Sequence, residues 1–410
     1  VHEEVYALTS DFGAYVERFP HPETGTPLAV KDFLDVAGQT TRNGTPGLGH
    51  HVAAEDSDAV ARLRAAGYVP VARTTVPELA WSSRTPGCRN PWAPDRDAGG
   101  SSGGSAVAVA LGDVPVALGT DTGGSIRIPA ALCGVAGLRP THGTVPMRGV
   151  TPLTPSMDTV GPIAATAADC LAVHRILTGT AEPAADTVAN TVAGLRLGWP
   201  EHLWGTKIDP EVLRIVESAA GTLRAAGAEI VPVELPLGHR YARSAGFTTM
   251  LFESARQWWP AYNEDPSGLR GRAIGQLKAG TEVTQEDYDA ARARAGEIAA
   301  EVDAAFTEVD ALLMPTLPVT AAPADTETVD VGGREEPLEN AYYRLTALAS
   351  VSGHPALTVP AGLTEAGLPV GAQLVGPRRR EALLCLLGGV IEAGPPARAL
   401  ARARTGRTRP

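Results

Sequence analysis

The feature that most constrains this chain is a pair of glycine-rich segments, Gly99-Gly-Ser-Ser-Gly-Gly-Ser105 and Leu118-Gly-Thr-Asp-Thr-Gly-Gly-Ser-Ile-Arg-Ile-Pro129, which carry very few charges. Glycine at this density lets main-chain amides approach a ligand closely and adopt positive φ. Between and within the two segments lie apolar stretches. Ala106 to Leu111 suits a buried helix and Val114 to Leu118 a buried strand.

Around this segment strands and helices alternate. Leu28 to Val36 reads as a strand running into a loop, with Lys31 near the strand's end. Asp56 to Ala66 is a helix that Asp56 or Ser57 can cap, with Ala59, Val60, Leu63 and Ala66 on one face. Gly67 ends it, and Tyr68 to Ala72 follows as a strand. A second alternation begins with the strand Leu195 to Trp199, the helix Pro210 to Ala226 and the strand Glu229 to Val233. Residues 240–306 are mostly helical. Ala311 to Met314, Ala356 to Val359 and Val370 to Val375 read as strands, 323–338 as a surface loop, and Ala382 to Ala393 as a closing helix. The pattern predicts an α/β fold, a single large α/β/α sandwich whose mixed central sheet is covered by helices on both faces. It places one domain over residues 1–395 and a basic, flexible tail over 396–410.

Charge and cysteine usage exclude several function classes. With 35 Lys and Arg against 46 Asp and Glu, the net charge is −11, which argues against nucleic acid or an anionic membrane as partner. Cys88, Cys133, Cys170 and Cys385 are far apart and form no CxxC pair, so neither a disulfide framework nor a structural zinc site is expected. No apolar run is long enough to span a membrane. The acidic start, Val1-His-Glu-Glu4, lacks a signal-peptide pattern. A cytoplasmic location is the expectation.

Three chemistries compete for the glycine segments. A phosphate cradle needs a lysine after the glycines or a Gly-x-Gly-x-x-Gly turn between strand and helix, and neither segment supplies one. A nucleophile elbow fits Gly99-Gly-Ser-Ser-Gly103, making Ser101 the nucleophile of an α/β-hydrolase-type esterase. That reading needs a later histidine. His142, His174, His202, His239 and His354 qualify by order, only His354 lies late in the chain, and the second segment is left unexplained.

The third chemistry comes with a resemblance. Gly99 to Ser105, followed by Ser125 in Gly-Thr-Asp-Thr-Gly-Gly-Ser-Ile-Arg and by Pro129-Ala-Ala-Leu-Cys-Gly-Val-Ala-Gly-Leu-Arg-Pro-Thr141, closely resembles the amidase signature family. Val30-Lys31-Asp32 with Asp35-Val-Ala-Gly38 is similar to its lysine motif. Met314-Pro-Thr-Leu-Pro318, Gly353 to Gly362 and Gly371 to Gly376 are also similar, so the likeness runs from about residue 28 to 390. The resemblance implies that Ser125 is the nucleophile, that Ser101 bridges it to the base Lys31, and that the Gly100–Ser101 peptide is cis. It implies an oxyanion hole from the amides of Thr122, Gly123, Gly124 and Ser125, and no metal or cofactor. Physics fits these roles. A serine hydroxyl is a weak nucleophile until a base takes its proton, and lysine serves as base only when burial or nearby positive charge leaves it neutral. Ser102, Asp121 and Arg127 are expected to support the loop, the last two as an ion pair.

Family members take diverse amides, and one branch is the glutaminase subunit of a tRNA amidotransferase. Only 30 residues precede Lys31, which sets this chain apart from larger members. Arg148 to Pro162 is more similar to stand-alone amidases of the indoleacetamide or arylamide type. The expected activity is hydrolysis of a small-molecule amide by a monomer or homodimer. The variable stretch 240–306 is expected to shape the acyl pocket, with Phe252, Trp258 and Trp259 as candidate lining for an apolar or aromatic acyl group. Two other readings stand beside it: an acyltransferase that passes the same acyl-enzyme to an amine, and a non-catalytic scaffold, against which the intact triad argues.

Overall fold

The computed structural model describes residues 12–20, 24–179 and 192–407; the acidic start Val1 to Glu4 and the last three residues lie outside them. Eleven strands form one sheet: β1 (Tyr15–Arg18), β2 (Thr26–Lys31), β3 (Tyr68–Thr74), β4 (Val116–Thr120), β5 (Ala136–Arg139), β6 (Val160–Ala164), β7 (Arg196–Trp199), β8 (Glu229–Pro232), β9 (Ala311–Pro315), β10 (Ala356–Leu363) and β11 (Pro369–Val375). Their order across the sheet is β1-β3-β2-β4-β6-β5-β10-β11-β9-β7-β8. The β3-β2-β4 and β9-β7-β8 flanks are parallel, and the centre from β4 to β9 is antiparallel. The sheet is therefore mixed, as the strand–helix alternation leads one to expect.

Helices cover both faces. They are α1 (Asp58–Ala65), α2 (Gly103–Leu111), α3 (Arg127–Cys133), α4 (Ala167–Thr178), α5 (Pro210–Ala225), α6 (Pro236–Glu264), α7 (Ala273–Glu282), α8 (Gln285–Ala305), α9 (Leu338–Arg344), α10 (Ala347–Ser352), α11 (Glu381–Glu392) and α12 (Pro395–Arg407). Strand pleating sorts the two cores. Leu28, Val30, Val116 and Leu118 face a core shared with α1, α4, α5 and α11, whereas Ala29 and Ala117 face α2 and α3. The small residues on that second face let α2 and α3 lie close to the sheet. Local signals set the helix starts: the Ser57 hydroxyl caps α1, Asp209 with Pro210 at the first position starts α5, and Thr284 with Asp287 forms a capping box on α8.

Two expectations need correction. Within 323–338, Thr328–Asp330 pairs antiparallel with Glu335–Pro337, and the turn uses Gly332 and Gly333 at φ 64 and 80; a Gly-Gly pair supplies the positive φ a hairpin needs. The stretch expected to be a flexible tail is the helix α12, which opens on two prolines and buries Ala397 and Leu400 on one face. No single helix among the described residues is long and apolar enough to cross a membrane.

Candidate active site

β2, in the parallel flank of the sheet between β3 and β4, carries Lys31 at its end, where the side chain is fully buried. Its Nζ lies 2.7 Å from Ser101 Oγ, 2.9 Å from Ser102 Oγ and 2.8 Å from Thr120 Oγ1. Ser101 and Ser102 stand at the start of α2, and Thr120 closes β4. Burial pushes the Lys31 amine down from its ordinary 10.5 to about 7, against the opposing pull of Asp121 and Asp158. The Gly100–Ser101 peptide is cis.

The second glycine segment wraps around Asp121. Its Oδ1 and Oδ2 each take an Arg127 nitrogen at 3.0 Å, and Oδ1 also takes Arg139 Nη1 at 3.0 Å. Burial alone would raise this carboxyl, but the two guanidiniums outweigh it and hold the group well below the usual carboxylate range. Arg127 extends the network to Gln373 Oε1 at 2.6 Å and Ser350 Oγ at 2.8 Å. Asp121 and Arg127 thus form the ion pair expected from the sequence, with Arg139 as an unforeseen third member.

The same carboxylate accepts the Gly124 N–H at 2.9 Å and the Ile126 N–H at 3.3 Å. Of the four amides expected to form an oxyanion hole, that of Gly124 is thus engaged by Asp121. Among the described residues the amides of Thr122, Gly123 and Ser125 have no hydrogen-bond partner, and these three residues line one cavity. Both glycines are sterically required. A Cβ on Gly124 (φ 130) would lie 2.4 Å from Thr346 Oγ1, and one on Gly123 would lie 2.8 Å from the Tyr343 ring. Thr346 Oγ1 pins the turn by donating to the Gly123 carbonyl at 2.6 Å. Thr122 Oγ1 donates to Asp158 at 2.5 Å.

Ser125 sits at the base of that cavity, of about 230 Å³. Its main-chain carbonyl accepts the Ser102 N–H at 3.1 Å, but its side chain makes no hydrogen bond among the described residues. The Lys31–Ser101 contact is therefore closed and the link onward to Ser125 is open.

A family model for amidases matches residues 3–385. This chain belongs to the amidase signature family. A glutamyl-tRNA(Gln) amidotransferase component from Roseiflexus sp. (strain RS-1) is 34% identical over 410 residues, covering 90% of this chain and 83% of the relative. A crystal structure of an amidase aligns with TM-score 0.83 and 37% identity over 90% of this chain and 84% of its own. The native peptide amidase of Stenotrophomonas maltophilia aligns with TM-score 0.73 and 31% identity, over 90% and 82%. The expectation that the chain stands apart from the amidotransferase branch thus meets a relative bearing that name.

In this member of the family the cavity walls come from the helical stretch, but not from the aromatics singled out in the sequence. α6 contributes Arg243, Phe247 and Met250, α7 contributes Gln276, and Trp81, Glu339 and Tyr343 are also part of the wall. Phe252, Trp258 and Trp259 are not among the lining residues. Phe252 stacks on Tyr288 with ring centroids 4.2 Å apart, Trp258 Nε1 donates to Pro152 O at 2.9 Å, and Trp259 packs against Tyr262. Helix phase explains this. At 3.6 residues per turn, Phe252 points ~140° away from Phe247, and Trp258 lies ~16 Å further along the same face. The signal missed was the position of Phe247 on the exposed side of α6, since it is an exposed large apolar residue.

The esterase alternative finds no support in the geometry of this amidase-family chain. His354 bonds Ser352 Oγ at 2.9 Å and Asp303 Oδ1 at 3.0 Å, and no histidine among the described residues lines the cavity. The four cysteines are buried and form no disulfide.

Proposed function

We propose that this chain hydrolyses a carboxylic amide to the acid and ammonia or an amine, with Ser125 as nucleophile, Ser101 as proton relay and Lys31 as base. The observation that carries the reading is Lys31: fully buried, lowered to about 7, and 2.7 Å from Ser101 Oγ. A neutral amine has two N–H donors and one lone pair. Ser102 Oγ donates to Thr120 O at 3.2 Å, so it accepts from Lys31. The second N–H is taken by Thr120 Oγ1. The lone pair is left facing Ser101.

Lys31 then takes the Ser101 proton while Ser101 takes that of Ser125, and Ser125 Oγ bonds to the amide carbon. The carbonyl oxygen gains charge next to the free amides of Thr122, Gly123 and Ser125; losing one such donor costs ~3–4 kcal/mol. The proton returns through Ser101 to the nitrogen as the C–N bond breaks. Water enters by the same route, releases the acid and restores Ser125.

The test is a panel of primary aliphatic, aryl and indole amides, followed by release of acid and ammonia. Ser125→Ala is expected to lower turnover by about four orders of magnitude or more, and unchanged turnover in that variant ends the reading. The amidotransferase name of the Roseiflexus relative favours a second reading, in which the acyl-enzyme serves an amine acceptor and the chain works within a larger assembly. Added hydroxylamine separates the two. A hydrolase yields mainly acid, whereas a transferase yields mainly the hydroxamate.

A further inference from the structure

A second cavity, of about 460 Å³, lies between the first turns of α6, the loop that follows β7 and the junction of α9 with α10. Ser125 is not in its lining, but Arg243 and Ser244 line both this cavity and the one above Ser125. Its charges are unbalanced. Lys207, Arg240, Arg243 and Arg344 line it against one acid, Glu336, in a chain whose net charge is −11. Glu336 is paired with Arg344. Arg344 also donates to the Lys207 carbonyl at 2.8 Å, which ties the end of α9 to the loop. The side chains of Lys207, Arg240 and Arg243 make no ion pair or hydrogen bond among the described residues. Arg240 and Arg243 stand three apart on α6 and so share a face. His202 adds no charge. Its Nε2 accepts the Leu235 N–H at 2.9 Å, which leaves the proton on Nδ1 and the ring neutral. Trp204, 2% exposed, is also in the lining, and its Nε1 has no acceptor. Arginines on a convex face are met by water, but unpaired cations gathered in a concavity focus a field that draws an anion.

We propose that this second cavity binds a phosphate group, free or carried by a small organic molecule, received by Lys207, Arg240 and Arg243. A phosphate monoester carries about −1.5 to −2 charge at neutral pH and three acceptor oxygens. That is enough to answer cations on the loop and on the helix at once, whereas a carboxylate brings a single charge. The two guanidiniums offer paired N–H donors to neighbouring oxygens, and Lys207 supplies a compact point charge opposite them. The space is larger than one phosphate needs. Leu203, Ala242, Leu345 and Leu348 give it an apolar wall on which an organic remainder can pack. A ligand held there lies against the reaction cavity, across the wall that Arg243 and Ser244 form, without occupying the space above Ser125.

Calorimetric titration of the full chain tests this, in about 0.15 M sodium chloride so that loose surface attraction is screened. The probes are inorganic phosphate, glycerol 3-phosphate and, as the uncharged control, glycerol. At least one of the phosphates is expected to bind at one site per chain with a dissociation constant below about 1 mM, and glycerol not at all. Lys207→Gln combined with Arg240→Gln should weaken that binding about tenfold or more. Lys207→Arg, which keeps the charge, should stay within about threefold of wild type. Both positions are exposed, so the substitutions leave the fold in place. Tighter binding of glycerol 3-phosphate identifies an ester as the ligand and tighter binding of inorganic phosphate the free ion; either upholds the site. A dissociation constant above about 1 mM for both phosphates overturns it, and so does equal binding by the wild type and the double glutamine variant. Binding alone is read, so the outcome stands whether or not the hydrolase reading does.

Discussion

The floor of the site, residues 99–139, and its helical roof, α6 to α8, are built on opposite plans. In the floor the charged side chains nearest Ser125, those of Asp121, Arg127 and Arg139, are fully buried and paired, and the groups free to act are main-chain amides. In the roof the charges are mostly exposed, the aromatics stack on one another, and the groups that reach the cavity are the side chains of Arg243, Phe247 and Met250. A main-chain cradle fixes where negative charge develops whatever the acyl group is. Side chains hung on a long helix change the acyl pocket without disturbing that cradle. On the proposed reading, the chemistry belongs to the floor and the selectivity to the roof.

The largest expected effect tests the floor. Lys31→Met should lower kcat/KM at pH 7 by about a thousandfold or more, and in the wild type kcat/KM should climb as pH passes about 7 and level off once the amine is neutral. A flat profile under chemistry-limited conditions removes lysine from the role of base. Stability rises with pH as well. The folded state disfavours the Lys31 proton, so the cost is full below about pH 7 and fades as pH rises toward the ordinary 10.5. Denaturant titrations should therefore show Lys31→Met to be more stable than wild type at about pH 6, with the gap closing at about pH 10.

Asp121→Asn comes next. It leaves two buried guanidiniums without a counter-charge and should cost about 3–5 kcal/mol in urea unfolding. A loss of under about 1 kcal/mol would show that Gln373, Ser350 and the nearby carbonyls suffice for the arginines, and that the carboxylate serves the turn alone. In the roof, Phe252→Ala and Phe247→Ala should separate stability from selectivity. Phe252 is buried, and its loss should cost about 3 kcal/mol while leaving the ranking of amides unchanged. Phe247 is exposed and should cost under about 1 kcal/mol while altering KM for the bulkier amides. If both variants shift the ranking together, Phe252 acts on the cavity through α6 and the division between core and lining fails.

The same division explains what the sequence makes legible. Lys31, Ser101 and Ser125 are legible only through the resemblance to the amidase signature motifs, whereas strand–helix alternation is enough to draw a mixed sheet with helices on both faces. The Gly124 amide escapes a reading by motif because Asp121 is a short, acceptor-only side chain three residues earlier, and which N–H it captures depends on the turn's dihedral angles. Arg139 and Thr346 join the site through β5 and the start of α10, contacts across the sheet that local pattern does not encode. In the roof, a 29-residue helix spreads its aromatics over an arc of roughly 140°, and only its packing decides which of them meets the cavity. The basic C-terminal stretch reads as loose because it is polar, but Ala and Arg are good helix formers and two apolar residues are enough to dock it.

The smallest effect probes whether the roof only displays its side chains or also holds them in place. Thr284 and Asp287 cap α8 far from Ser125 in the chain, and Thr284→Ala should cost about 1 kcal/mol in unfolding. The cap steadies the first turn, which carries Tyr288, and Tyr288 stacks on Phe252 and donates to Glu253 at 2.9 Å. Those two residues follow Met250 on α6, so a frayed α8 would loosen the part of α6 nearest the cavity. Because the cavity groups also pack on Trp81 and Tyr343 from the other side, kcat/KM for every amide should stay within about twofold of wild type, a change under RT in free energy. A selective rise in KM for the bulkier amides alone would instead make α8 a positioning element for the α6 side chains that line the cavity, and the roof would then share in binding through its order as well as its side chains.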